Sequence, residues 1–281
     1  MTMTNSASTS HATAGPILRW AGSKRRLLPL LLATAPTVFD RYHEPFAGSA
    51  CFLLALNPKK ATLNDANFAL ISAYRSISRD TEGIYRRLTL IPNDENTYYK
   101  IRNIKPETLS EQDRATRFVY LNRNCFNGIY RTNRQGQFNV PYGNRTGPLP
   151  TLAEFHAFGR RLRRTTLKSV DFEKALHACR PGDFAYLDPP YFSANRQTYG
   201  EYGYETYRDS DVRRLIESVQ TLTSNGVRVM ISYKADAELL KALATSTWTI
   251  RSFDVHRGLA ASANARTSTR EILATNYSFR E

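Results

Sequence analysis

Asp188-Pro189-Pro190-Tyr191 is the tetrapeptide of this chain best suited to chemistry. It follows the apolar run Phe184-Ala185-Tyr186-Leu187, which reads as a buried strand. The tetrapeptide therefore falls at the carboxyl edge of a sheet, where α/β proteins hold ligands. Its two prolines stiffen the backbone and leave carbonyl oxygens without competing local N–H donors. An acid, a rigid carbonyl and an aromatic face together suit a planar base bearing an amino group. Asp188 and the Pro189 carbonyl would accept hydrogen bonds from the exocyclic NH2, while Tyr191 stacks on the ring. The plainer alternative is a strand-ending turn.

A second constellation lies upstream. Glu44-Pro45-Phe46-Ala47-Gly48-Ser49-Ala50 reads as a strand end and a tight turn, and Cys51-Phe52-Leu53-Leu54-Ala55-Leu56 as the buried helix that follows. Such a turn of small residues lets a cofactor approach the backbone at a helix N-terminus. A second strand, Lys60 to Asp65, ends on a carboxylate about twenty residues after the first, the distance at which an acid binds ribose hydroxyls. One glycine in a loop is a weak signal, and the ordered set of strand, turn, helix and acid is a moderate one.

The elements that must position these residues alternate along most of the chain. The clearest helix carries Val212, Leu215, Ile216, Val219 and Leu222 at helical spacing, with Ser210 placed to cap its start and Gly226 just past its end. Val227 to Ser232 reads as a buried strand, and Thr249 to Val255 and Glu271 to Tyr277 as two closing strands. Strands alternating with helices predict an α/β fold with a mostly parallel sheet.

Between about Phe68 and Thr165 the alternation gives way to helical stretches, loops and polar aromatics. From Arg117 to Arg164 nine arginines face a single acid, Glu154. A solvated helix face is the plain reading of Arg160 to Arg164. The longer stretch interleaves Arg with Asn, Tyr, Phe and Gly, a mixture suited to phosphate, base-edge and stacking contacts. It reads as an inserted, mainly helical nucleic-acid-reading domain.

The whole chain supports that direction. Its 281 residues carry 39 Lys and Arg against 25 Asp and Glu, a net charge of +14, with 41% hydrophobic residues. These proportions exclude disordered, collagen-like and membrane-spanning classes and put nucleic acid ahead of an anionic membrane as partner. Cys51, Cys125 and Cys179 form no close pair, and the five histidines cluster neither with them nor with one another. No metal site is expected, and the sparse thiols fit a reducing compartment. Residues 1–15, rich in Ser, Thr and Ala, lack the pattern of a signal peptide and read as a disordered lead-in to a cytosolic protein.

At this point the chain resembles the Dam/DpnII-type, or α-class, DNA adenine-N6 methyltransferases. The matching blocks are Leu18-Arg19-Trp20-Ala21-Gly22-Ser23-Lys24, Glu44 to Ala50, Asn64-Asp65, Tyr120-Leu121-Asn122-Arg123, Phe126-Asn127-Gly128-Ile129-Tyr130-Arg131, Gly136 to Gly143, Asp188 to Tyr191, and Glu271-Ile272-Leu273. They run in the family's order and cover roughly residues 16 to 278. The resemblance implies a Rossmann-like sheet that binds S-adenosylmethionine (AdoMet), formed by residues 16–67 and 166–281. It also implies an inserted, mainly helical DNA-recognition domain at 68–165.

The resemblance also carries roles. Trp20, Lys24, Glu44, Phe46 and Gly48 would line the cofactor pocket, Asp65 would bind the ribose, and Asp171 and Phe172 would lie at the adenine end. Asp188, Pro189, Pro190 and Tyr191 would hold the target adenine, with Asp188 also bordering the cofactor. Phe126 matches an aromatic that wedges into DNA. Asn127, Arg131, Asn139, Pro141 and Tyr142 lie on the recognition hairpin, and Arg123 just before it. Two departures stand out: Ala50 replaces a second glycine common in the family, and the hairpin is closer to the DpnII-like branch than to the enteric one. The implied reaction moves the methyl of AdoMet to N6 of an adenine flipped from a short duplex sequence. A DPPY-type rRNA guanine-N2 enzyme and a catalytically silent DNA-binding relative are the rivals. A bacterial cytosolic location and duplex DNA as partner follow. A restriction endonuclease sharing the site, and a monomeric or dimeric state, stay open.

Overall fold

The computed structural model describes residues 15–133, 135–143, 146–190, 209–245, 247–256 and 268–278. Among these, seven strands form one sheet: β1 (Tyr42–Glu44), β2 (Ala61–Asn64), β3 (Thr165–Lys168), β4 (Phe184–Leu187), β5 (Arg228–Lys234), β6 (Thr249–His256) and β7 (Ser268–Thr275). Their order across the sheet is β3-β2-β1-β4-β5-β7-β6. The pairs linking β1 to β5 are parallel, and β7 runs antiparallel to both β5 and β6. The expected α/β fold with a mostly parallel sheet is therefore the observed one.

Strands buried on both faces need apolar side chains in both directions. In β4, Phe184 and Tyr186 enter one hydrophobic cluster, while Ala185 and Leu187 enter the other. The second cluster is closed by α8 (Phe172–Leu176), α9 (Asp209–Ser224) and α10 (Ala237–Leu243), through Leu176, Leu215, Val219 and Leu239. The first is covered by α1 (Leu28–Thr34) and α2 (Cys51–Leu56). It continues without a break into α3 (Phe68–Arg79), α4 (Thr81–Thr89), α5 (Glu95–Asn103), α6 (Glu111–Asn124) and α7 (Leu152–Arg163).

Local chemistry sets the helix ends. Thr151 and Glu154 bond reciprocally as a capping box at α7, and the Ser110 hydroxyl accepts the Asp113 N–H at α6. At the end of α9, Gly226 adopts φ +72° while the Val227 N–H bonds to the Leu222 carbonyl. The start of α9 differs from expectation. The helix begins at Asp209, so Ser210 lies inside its first turn and does not cap it. Strand β3 carries no clear sequence signal, because Thr165-Thr166-Leu167-Lys168 is short and half polar and its pairing with β2 decides its state.

The arginines of the insertion also differ from a simple phosphate-binding surface. Arg117 donates to the Ile101 and Arg102 carbonyls, which closes the last turn of α5. Buried Arg161 donates to Asn57 Oδ1 and the Pro58 carbonyl. Arg114, Arg102 and Arg163 likewise donate to main-chain carbonyls. Much of this positive charge ties loops to helices. Arg117→Ala is expected to lower the melting temperature yet leave the salt slope of DNA binding unchanged; a shallower log K against log[salt] would show that Arg117 neutralises a phosphate.

Among the described residues, no helix is long and apolar enough to cross a membrane, and no group of His, Cys, Asp and Glu could hold a metal ion.

Candidate active site

The chain leaves β1 towards β2 on one side and β4 towards β5 on the other, so the strand order reverses between β1 and β4. Such a switch point opens a crevice at the carboxyl ends of the strands. Residues 45–50 and 188–190, the two loops singled out from sequence, leave β1 and β4 at this place.

The first loop is held by β2. The Ala47 N–H bonds to the Asn64 carbonyl, and the Asn64 side chain donates to the carbonyls of Pro45 and Val170. Asp65 Oδ2 accepts the Gly48 N–H at 3.0 Å and Oδ1 accepts the Asn67 N–H at 2.9 Å. Burial raises the Asp65 pKa, and these backbone donors work against that rise. Gly48 has φ +46°, and a Cβ there would come within 2.8 Å of the Trp20 indole. The glycine is thus needed for both its conformation and its contact. Ala50, which replaces a common family glycine, also has positive φ (56°), so this chain holds an alanine in left-handed backbone.

Trp20, Ser23 and Lys24 form a strap across this loop. Trp20 covers Gly48, and the Ser23 and Ser49 hydroxyls lie 3.1 Å apart. A 3-10 turn beginning at Lys24 then aims that side chain across the crevice. Lys24 Nζ sits 2.6 Å from Asp188 Oδ1, with side-chain exposures of 8% and 19%. Ser232 Oγ of β5 donates to the same oxygen at 3.2 Å and is itself 2.7 Å from the Tyr186 hydroxyl. Burial raises the Asp188 pKa, while the Lys24 ammonium and the Ser232 hydroxyl favour its charged form. Lys24 is therefore a buried partner of the central acid and not a surface charge.

Glu44 ends β1 directly before the loop, within electrostatic reach of Asp188 and Asp65. Its carboxyl is 4% exposed and accepts the Tyr42 hydroxyl at 2.8 Å inside the core. Burial pushes its pKa up to about 8. An acid with a raised folded pKa adds stability below its unfolded value, usually near 4.5, and that contribution is lost as pH rises to about 8. Urea unfolding from pH 5 to 9 should show stability falling with pH, by on the order of 1 kcal/mol per unit at most. The slope should flatten in Glu44→Gln; an equal slope in the variant would assign the effect to another group.

At the far side of the crevice Asp171 caps α8, accepting the Glu173 N–H, and Phe172 lies 5.4 Å from Phe46. Arg214 of α9 donates to Asp171 at 2.5 Å and to Glu173 at 2.8 Å, with its guanidinium 4.8 Å from the Phe172 ring centre. Nothing in the local sequence around Arg214 marks this role; its i−3 partner Asp211 reads as an ordinary helix ion pair.

The residues expected to meet DNA lie on or beside an antiparallel hairpin. Cys125 bridges Tyr142 and Thr132 bridges Phe138, with the Phe126 N–H on the Pro141 carbonyl and the Asn139 N–H on the Arg131 carbonyl. Phe126 is 44% exposed at its base. Asn127 and Gly128 have φ values of 54° and 65°, and a Cβ on Gly128 would fall 2.5 Å from Arg19 Cβ. Arg131 Nε donates to Asn139 Oδ1 at 3.1 Å, Pro141 is exposed, and the Tyr142 hydroxyl reaches Asn93. Arg123 is turned inward: its guanidinium donates to the Ile17 and Pro148 carbonyls, and burial lowers its pKa to about 10. Tyr191 lies outside the described residues.

Comparison with known proteins supports the same direction. The family model for D12 class N6 adenine-specific DNA methyltransferases matches residues 20–258. The type II methyltransferase M1.LlaDCHI of Lactococcus lactis subsp. cremoris is 33% identical, over 93% of this chain and 95% of that protein. The retron Ec67 DNA adenine methylase of Escherichia coli is 31% identical, over 92% and 90%. The type II methyltransferase M.MjaIII of Methanocaldococcus jannaschii is 28% identical, over 77% and 83%. With its two sheet-edge loops and this match across most of its length, the chain belongs to the D12 class N6 adenine-specific DNA methyltransferases.

Proposed function

We propose that this adenine-specific DNA methyltransferase takes its methyl group from AdoMet bound against Trp20, Phe46, Gly48, Asp65, Asp171 and Phe172. The target adenine, in this reading, is presented to Asp188, Pro189, Pro190 and Tyr191. The observation that carries the reading is the convergence of Asp65, Gly48 and the Lys24–Asp188 pair at one sheet switch point.

The residues present fit the cofactor. Gly48 forms a cradle that a Cβ would fill, and each Asp65 oxygen accepts one backbone N–H and keeps a lone pair for a ribose hydroxyl. Half-buried Phe46 offers an aromatic face to a planar ring, with Phe172 packed beside it and Arg214 holding the Asp171–Phe172 turn. When bound, AdoMet supplies a methyl group on a sulfonium, which is a good leaving group.

The protein's part is to place and polarise the acceptor. Adenine N6 is a weak nucleophile because its lone pair is delocalised into the ring. Asp188 and the Pro189 carbonyl, accepting the two N6 hydrogens, localise that pair and stabilise the positive charge that develops on nitrogen. Lys24 favours the ionised form of Asp188 and directs its carboxylate. Asp188 then takes up the proton released from N6, during or after methyl transfer. Flipping the base out of the duplex costs a few kcal/mol, which a Phe126 wedge and Tyr191 stacking offset in part.

In the proposed division of labour, residues 16–67 and 166–281 carry the chemistry and 68–165 read the DNA. Asn127, Arg131, Asn139, Pro141 and Tyr142 would face the duplex, while Arg123 acts as a staple on the segment leading to Trp20. Arg131→Ala should lose roughly 1–3 kcal/mol of discrimination between sites and relax sequence choice. An unchanged site preference in competition assays would remove Arg131 from base reading. A restriction endonuclease sharing the site is the proposed partner in the cell, where the protein would work in the bacterial cytosol.

Incubation with labelled AdoMet and either duplex DNA or ribosomal RNA tests this function. Label on adenine N6 of the DNA is expected. Label on RNA guanine would favour the rRNA-modifying alternative, and no label on either would favour a silent DNA-binding relative.

A further inference from the structure

Tyr130 occupies a position that neither its type nor its spacing marks out. It lies on the hairpin immediately before Arg131, and its ring stacks on Trp20 with centroids 6.0 Å apart and planes 15° from parallel. Two further rings fix it from behind: Phe118 of α6 at 5.3 Å and Phe138 of the opposite hairpin strand at 5.5 Å.

Two routes lead from the cofactor loop to this one side chain. In the first, Asp65 Oδ2 holds the Gly48 N–H, Gly48 packs under the Trp20 indole, and Trp20 stacks on Tyr130. In the second, Asp65 Oδ1 holds the Asn67 N–H, and the Asn67 side chain lies beside the Tyr130 hydroxyl. Asn67 is fixed in turn, since its Oδ1 caps α3 by accepting the Leu70 N–H. From Tyr130 the chain passes directly to Arg131, which donates across the hairpin to Asn139. A ligand that settles Asp65 and Trp20 therefore restrains the hairpin, and a duplex that settles the hairpin restrains the pocket.

We propose that Tyr130 is the positioning residue that couples occupancy of the cofactor pocket to engagement of DNA by the recognition hairpin. This rests on the assignments of pocket and hairpin proposed above. Because coupling between two binding sites is reciprocal, one factor α must describe both the gain in cofactor affinity caused by DNA and the gain in DNA affinity caused by cofactor.

The test is a thermodynamic cycle on the full chain with S-adenosylhomocysteine and sheared unmethylated genomic DNA. Titration calorimetry gives the first affinity with and without DNA, and filter binding gives the second with and without the nucleoside. Wild type should give the same α in both directions, about 5 or more. Tyr130→Leu, which keeps apolar volume between Phe118 and Phe138, should bring α to about 1, on the scale where coupled sites differ by 5-fold or more. The affinity for each ligand alone should change less than α does, which a general loss of packing would not produce. Tyr130→Phe keeps the stack on Trp20 and loses the hydroxyl, so its α should lie between. A Tyr130→Leu protein with the wild-type α overturns the proposal. A wild-type α of 1 with DNA methylation intact overturns it too and leaves the active-site reading standing. A wild type that binds no S-adenosylhomocysteine overturns both.

Discussion

Asp188→Ala should reduce the single-turnover rate of adenine methylation roughly 10²–10⁴-fold, the range lost when a positioned acid–base group is removed. In the proposed mechanism the substitution removes an acceptor for N6 hydrogens and the group that takes up the N6 proton. It also leaves the Lys24 ammonium, 8% exposed, without its 2.6 Å carboxylate partner. Breaking a buried ion pair by deleting one partner costs about 3–5 kcal/mol of stability, so a fall in rate alone would be ambiguous. The double variant Lys24→Met with Asp188→Leu removes both charges and the acceptor, and should recover most of that stability. It should stay as inactive as Asp188→Ala. Recovery of activity together with stability would assign Asp188 a structural part only.

Lys24→Met should have the next largest effect, and its signature is a pH profile. In the wild type the Lys24 ammonium opposes the rise in Asp188 pKa caused by burial. Removing a neighbouring cation disfavours the carboxylate, so the Asp188 pKa must rise further. The proposed mechanism requires ionised Asp188, and the acid limb of the single-turnover rate should therefore move to higher pH. The plateau should fall on the order of 10²-fold, since Asp188 keeps Ser232 but loses the group that directs it. An acid limb at its wild-type pH would mean that Lys24 does not act through Asp188.

How much of this was legible in the sequence depends on the range of the interaction. The buried strands ending at Glu44 and Leu187, the small-residue turn and Asp65 were readable, because strand, turn and acid are neighbours along the chain. The Trp20-Lys24 block could be assigned by resemblance. What it does there depends on contacts that no spacing encodes: Lys24 meets Asp188 across 164 positions, and Asn122 reads the backbone of Arg19 across 103. The burial of Glu44 is likewise hidden from the motif: the side-chain alternation of β1 puts its carboxyl on the face of Tyr42, whose hydroxyl it accepts. The arginines were the least legible. Excess charge predicted DNA contact, yet whether a guanidinium faces a phosphate or closes a helix end is settled only by packing, as Arg117 and Arg161 show.

The charge of +14 thus divides into structural and exposed parts, and the site reduces to a carboxylate aimed by a lysine beside a glycine cradle. The most direct test is long-read sequencing, with nucleoside mass spectrometry, of DNA from a host without adenine methylation that expresses the wild-type chain or Asp188→Ala. N6-methyladenine at one short sequence in the wild type, and none in the variant, is the predicted result. Methylation on cytosine or guanine, methyladenine without a sequence preference, or an unchanged pattern in Asp188→Ala would contradict it.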